Sequence, residues 1–228
     1  MIPAILPPHS PPIFPDARFA GEGGLVAAGG DLSTDRLLAA YGNGIFPWYD
    51  EDTPILWWSP DPRAVIPMDA VHASRRLKRT LRQGRFRVTW NTAFSEVIQA
   101  CADERADGTW LLPEMLNAFK RLHKEWYAHS IEVWDGDELA GGLYGVQRGG
   151  LFSAESMFHR VTDASKVALV VCVASMAQAG IEVFDVQLRT DHLATMGCEE
   201  WDRERYLAEV RRVREKPVDL ATMKLILP

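Results

Sequence analysis

The chain has 228 residues, 47% of them hydrophobic and 25% charged, with a formal net charge of −6. Enough apolar surface is present to offset chain entropy, which argues against a disordered tail protein. Three scattered cysteines without a CxxC argue against a disulfide framework or a zinc ribbon, and no apolar run reaches membrane-spanning length.

Residues 1–20 hold Pro3, Pro7, Pro8, Pro11, Pro12 and Pro15, and are expected to run extended over the surface. They lack the basic start and long apolar stretch of a signal peptide, so a cytoplasmic protein with no membrane partner is expected. Asp31 or Ser33 then caps a short helix carrying Leu37, Leu38 and Tyr41, which Gly42 or Gly44 ends. A turn-rich WWSPDPR segment follows. The division expected here is a small N-terminal domain over 1–62 and a larger one over 63–228.

Residues 63–87 carry eight basic side chains against one acid, Asp69, so the remainder of the chain is strongly acidic. Ser74 can cap a helix running to Arg82. On a 3.6-residue wheel Leu77 and Leu81 share one face, Arg75, Lys78, Arg79 and Arg82 take the opposite one, and Arg76 lies at its margin. Such a face is either simply solvated or built for the phosphates of a polyanion. The absence of acids on it, leaving self-repulsion unrelieved, favours the second reading.

Beyond the basic segment strands and helices mix. Residues 86–90 read as a strand. Asn91 or Thr92 opens a helix with Phe94, Val97, Ile98 and Cys101 at helical spacing, and Pro113 starts another containing Met115, Phe119, Leu122 and Trp126. Strands are expected over 130–134, 138–147 and 151–155, with Asp135-Gly136 and Gly149-Gly150 as hairpin turns. Asp163 is expected to cap an apolar helix over 164–179 that Gly180 ends. A strand over 181–187 and a helix over 203–213 complete an α+β chain around a mixed, largely antiparallel sheet flanked by helices.

Several familiar sites are missing from the sequence: no GxxxxGK[ST], no GxGxxG after a strand, no GxSxG. The six histidines form no HExxH. His72, His123, His129 and His159 read as capping or packing residues, so neither a metal nor a cofactor is expected.

The segments GGLVAAGGDLSTDRLLAAYGNGIFPWY, ILWWSPDPRAVI, GTWLLPEM, AHSIEVWDGDELAGGLYGVQ, LFSAESMFHR, ASKVAL and DVQ resemble, in order and spacing, the leucyl/phenylalanyl-tRNA–protein transferases. The resemblance covers about residues 23 to 205. It implies a GNAT-like larger domain. It also implies transfer of Leu, Phe or less often Met from aminoacyl-tRNA to proteins with N-terminal Arg or Lys, marking them for degradation. The loop HRVTDASK lacks the glycines that hold a coenzyme A pyrophosphate, which argues against an acyl-CoA donor.

The resemblance also implies roles for particular residues. Gln187 would hydrogen-bond the attacking amine or the tetrahedral centre, and Asp185 would orient it. On an alternating strand those two side chains share one face. Glu155 would lie in the aminoacyl pocket near the α-amine, with Leu143, Met157, Phe158 and Val171 as the apolar candidates. Trp48 and Trp110 match tryptophans at the 3′-terminal adenosine. Phe119 stands where the family usually has Tyr. Arg75, Arg76, Lys78, Arg79 and Arg82 would hold acceptor-stem phosphates. A monomer is expected. The residues themselves leave open a transferase with another acceptor (an acidic N-terminus or a peptidoglycan peptide), a non-catalytic tRNA-binding protein, and an acyl-CoA acetyltransferase.

Overall fold

The computed structural model describes residues 3–104 and 111–227. Four short strands form a first sheet: β1 (Ala4–Leu6), β2 (Leu25–Gly29), β3 (Phe46–Pro47) and β4 (Leu56–Trp58), in the order β1-β2-β4-β3. Helix α1 (Thr34–Gly42) connects β2 to β3. Ser33 is its cap, its hydroxyl accepting the Arg36 N–H, while Asp31 accepts from the Ser33 N–H and the Arg36 guanidinium. Gly44 follows with φ +71°. A Cβ there would lie 2.5 Å from Leu207 and 2.8 Å from Tyr206, so only glycine lets the chain pass.

The second sheet has seven strands: β5 (Arg63–Ile66), β6 (Phe86–Trp90), β7 (Ala128–Asp135), β8 (Glu138–Arg148), β9 (Leu151–His159), β10 (Val183–Gln187) and β11 (Glu199–Trp201), in the order β11-β5-β10-β9-β8-β7-β6. Its β9–β10 pair is parallel and its other pairs antiparallel. A parallel pair requires a crossover. Helix α5 (Ala164–Ala179) supplies it.

Every residue from Val167 to Val173 in α5 is buried, so the helix needs cover on all sides. The sheet gives one side. The C-terminal segment gives another, with Leu220 in the same core and Val218, Met223 and Leu225 packed against it. Each such side chain contributes about 1.5–3 kcal/mol relative to exposure. The opposite sheet face is covered by α3 (Phe94–Asp103) and α4 (Pro113–Lys124), whose core runs on into the first sheet and α7 (Arg203–Val213). Helix α2 (Arg75–Arg82) packs on α5 through buried Leu77.

Four local expectations are corrected, and two short elements are added. β9 continues to His159, so the FSAESMF segment alternates inside a strand. Helix α4 stops at Lys124, and Trp126 lies in the following turn with φ +64° and 58% exposure. Asp163 precedes α5 in a left-handed conformation and makes no side-chain cap bond; its carboxylate pairs with Arg76 and Lys166 instead. Asn91 does not cap α3, because its side chain accepts the Ser130 N–H. The short α6 (Asp191–Thr195) and β11 are elements that the sequence pattern does not announce.

Candidate active site

The centre is built at the C-terminal end of β10. Asp185 is 0% exposed. It accepts hydrogen bonds from Arg63 Nε and Nη2 at 2.7 Å each, from Tyr206 Oη at 3.0 Å, from Ser153 Oγ at 3.1 Å, and from the Gln187 backbone N–H at 3.0 Å. Arg63 lies between the rings of Phe46 and Tyr206 and donates its remaining arm to the Gly44 carbonyl. Burial opposes the charge on Arg63, but the Asp185 carboxylate, helped by Tyr206, more than offsets it and holds the guanidinium pKa above its ordinary value. Asp185 is thus ion-paired with Arg63 and bonded to the backbone of Gln187.

That last bond falls at an irregularity of the backbone. The ladder between β10 and β5 shifts register between Asp185 and Gln187, and Gln187 takes φ +57°. Such a conformation costs about 1–3 kcal/mol in a residue with a side chain. The bulge breaks the simple alternation expected for this strand, so Val186, Gln187 and Leu188 all line the same cavity.

Gln187 Nε2 donates to Glu155 Oε1 at 3.3 Å. Glu155 sits half-buried on β9 and borders the cavity. Its carboxyl is pushed up to about 8 by burial; the Tyr41 hydroxyl and Arg63 pull the other way, and the Asp185 charge adds to the rise. Tyr41, fully buried on α1, is itself raised well above the ordinary phenol value by burial and then by Glu155. The rise favours the neutral acid, a form able to donate as well as accept.

The cavity measures about 370 Å³ and opens beside these groups. Small-ligand sites commonly span about 300–1,000 Å³. Its walls are mostly apolar: Leu143 from β8, Ala154 and Met157 from β9, Leu169 from α5, and Leu193 from α6. Trp48 stands at its edge, 47% exposed, its backbone carbonyl accepting from the Trp58 indole at 2.7 Å.

Leu143, Met157, Glu155, Gln187 and Trp48 meet here. Phe158 and Val171 do not. Strand alternation turns Phe158 to the core on the other sheet face, and Val171 is sealed inside the α5 core two residues beyond Leu169. Phe119 is 0% exposed and edge-on to Tyr144, so it offers no face to a base. Trp110 lies outside the described residues. Sequence reasoning missed Leu169, Leu193, Tyr41 and Arg63 as site residues. Arg63 was visible only as a charge, and Tyr41 only as helix core.

Helix α2 keeps its cations outward: Arg75, Arg76, Lys78, Arg79 and Arg82 are all exposed. Arg76 pairs with Asp163 at 3.3 Å, while among the described residues the other four form no ion pair. α2 rests on α5, the helix that gives Leu169 to the cavity.

A mixed sheet interrupted at a strand end sets an amide and a raised carboxyl over an apolar hollow. Comparison with known proteins identifies the family. The family model described as leucyl/phenylalanyl-tRNA protein transferase matches residues 65–211, and the model of its N-terminal domain matches residues 30–61. A leucyl/phenylalanyl-tRNA–protein transferase of Anaeromyxobacter sp. (strain Fw109-5) is 52% identical, covering 90% of this chain and 88% of its own. Its counterpart in Oleidesulfovibrio alaskensis (strain ATCC BAA-1058 / DSM 17464 / G20) is 50% identical, with 90% and 86% covered. The chain belongs to the leucyl/phenylalanyl-tRNA–protein transferase family and is an aminoacyltransferase. Among solved structures, L-PGS from Bacillus licheniformis overlaps with a TM-score of 0.41 at 10% identity, covering 74% of this chain and 56% of that one, too loose a likeness to carry chemistry across.

Proposed function

We propose that the protein transfers Leu, Phe and less often Met from aminoacyl-tRNA to the α-amine of proteins with N-terminal Arg or Lys, marking them for degradation. It acts in the cytoplasm as a monomer, residues 1–62 and 63–228 forming two domains that both supply the site. The observation that carries this reading is the Gln187–Glu155 pair at an apolar cavity edged by Trp48.

The donor ester is already activated, so the reaction needs positioning more than power. Holding amine and carbonyl together supplies up to about 7–11 kcal/mol in favourable cases. An α-amine has a pKa near 8, so a neutral fraction is present at pH 7. Its nitrogen forms the new C–N bond, the ester C–O bond breaks, and the departing ribose oxygen ends with the proton the amine gives up. Gln187 is the catalytic residue that touches the reacting centre. Asp185 holds its backbone N–H, and Arg63 holds Asp185. Glu155 faces the α-amine of the aminoacyl group. Leu143, Met157, Leu169 and Leu193 accept a large apolar side chain by shape, a selection worth only about 1–3 kcal/mol per methylene, which suits several apolar donors. Trp48 and Trp110 stack the terminal adenosine, at about 1–3 kcal/mol per base. The cations of α2 hold the acceptor stem.

The test is incubation of the protein with labelled Leu-tRNA and an acceptor bearing N-terminal Arg, without ATP or coenzyme A. Label transfer is expected. Binding without transfer would favour a non-catalytic RNA-binding protein, and preference for an N-terminal Asp would favour the other-acceptor reading.

A further inference from the structure

A second cavity of about 370 Å³ adjoins the first and shares Met157 with it. Where the first is apolar, this one is lined by His159, Thr162, Asp163, Ser165, Lys166 and His192. Helix α6 divides the two: Leu193 faces the first and His192 the second. The one acid is already engaged. The Asp163 carboxylate pairs with Arg76 at 3.3 Å and with Lys166 at 3.5 Å. With Arg76 counted, two cations face one carboxylate, so the cluster carries a net positive charge. Among the described residues His192 Nε2, a buried atom, has no hydrogen-bond partner. Burial lowers the pKa of that ring, and the charges of Lys166 and His159 lower it further, which places it in a positive field. A buried polar ring atom left unpaired carries a desolvation cost, which in the tautomer with the proton on Nε2 an anionic acceptor would relieve.

Resting on the function proposed above, we infer that this second cavity binds the phosphodiester joining the last two nucleotides of the RNA donor, with His192 and Lys166 as its donors. The position fits the polymer. An aminoacyl end held in the first cavity must run on toward the cations of α2, and Arg76 of α2 already reaches the wall of the second cavity through Asp163. The last phosphodiester of such a chain falls between the apolar hollow and the basic helix.

The test compares two phenylalanyl esters of a cytidine–adenosine dinucleotide, one joined by a phosphodiester and one by a neutral methylphosphonate. Each is assayed for kcat/KM with a peptide bearing N-terminal Arg. The wild type should prefer the charged donor about tenfold, the scale of one charge-assisted hydrogen bond. His192→Gln and Lys166→Gln should each bring that ratio toward one. Because both donors are read on one preparation, the ratio does not depend on how much of a variant is folded. No preference in the wild type, or a preference that neither variant changes, would overturn the assignment. Transfer from intact aminoacyl-tRNA but equal use of the two dinucleotides would reject this site alone. No transfer from any donor would reject the functional reading and this inference with it.

Discussion

Asp185 and Glu155 are neighbouring acids in two very different regions. Asp185 lies under the end of β10, enclosed by Arg63, Tyr206, Ser153 and the Gln187 amide. Glu155 stands at the wall of an open cavity, where burial pushes its carboxyl up to about 8. The sealed acid is ion-paired with Arg63; at the open one burial favours the protonated form. Gln187 joins the two regions, its backbone bound to the first and its side chain to the second.

The sealed side should fail hardest when one partner is removed. Asp185→Asn or Arg63→Met leaves an uncompensated buried charge and should cost about 3–5 kcal/mol in chemical denaturation. A loss under about 1 kcal/mol in both variants would mean the pair is not sealed. Gln187→Gly should separate the roles. Glycine adopts φ +57° freely, so stability should hold or rise by up to about 1 kcal/mol, while transfer falls about 100-fold. Activity within threefold of wild type would make Gln187 scaffold only.

The open side should show itself in pH. A carboxyl with a folded pKa near 8 and an ordinary value of 4.5 stabilises the fold below 4.5, and that stability is lost as pH rises toward 8. Glu155→Gln should abolish this decline, at most about 1.4 kcal/mol per pH unit, when denaturation midpoints are compared at pH 5 and pH 8. His129 pulls the other way: burial lowers it to about 4, so its contribution is lost as pH falls from 6.5 toward 4. It is present in both proteins and cancels. Parallel pH profiles would contradict the raised carboxyl. The smallest effect should come from α2. Neutralising Arg76 and Arg79 should weaken tRNA binding and flatten its salt dependence, by roughly one unit of slope for each phosphate left without its cation. The chemistry on a minimal aminoacyl-adenosine should be nearly intact; an equal loss on that donor would refute the division of labour. Arg76 should count for less, since Asp163 already takes part of its charge.

The same contrast explains what the sequence revealed. α2 was legible because Ser74 and the Leu77–Leu81 spacing are local signals, and α5 because an all-apolar run closed by Gly180 is one too. The first sheet was not, since LVAAG, FP and LWW show no clean alternation and one contains proline. The bulge at Gln187 is set by Asp185 bonding a backbone N–H, which no period-two pattern reports. Phe158 and Val171 sat beside the right residues in sequence, but alternation and helical rotation face them elsewhere. Arg63 and Asp185 are 122 positions apart, so their pairing was invisible until the chain folded.

The most direct measurement is a structure of the protein with an amide-linked aminoacyl-adenosine carrying a phenylalanyl group. The expectation is a ligand carbonyl within about 3.2 Å of Gln187, the side chain between Leu143, Met157, Leu169 and Leu193, and the base against Trp48. A ligand seated anywhere else, with Gln187 and Glu155 still bonded only to each other, would contradict it.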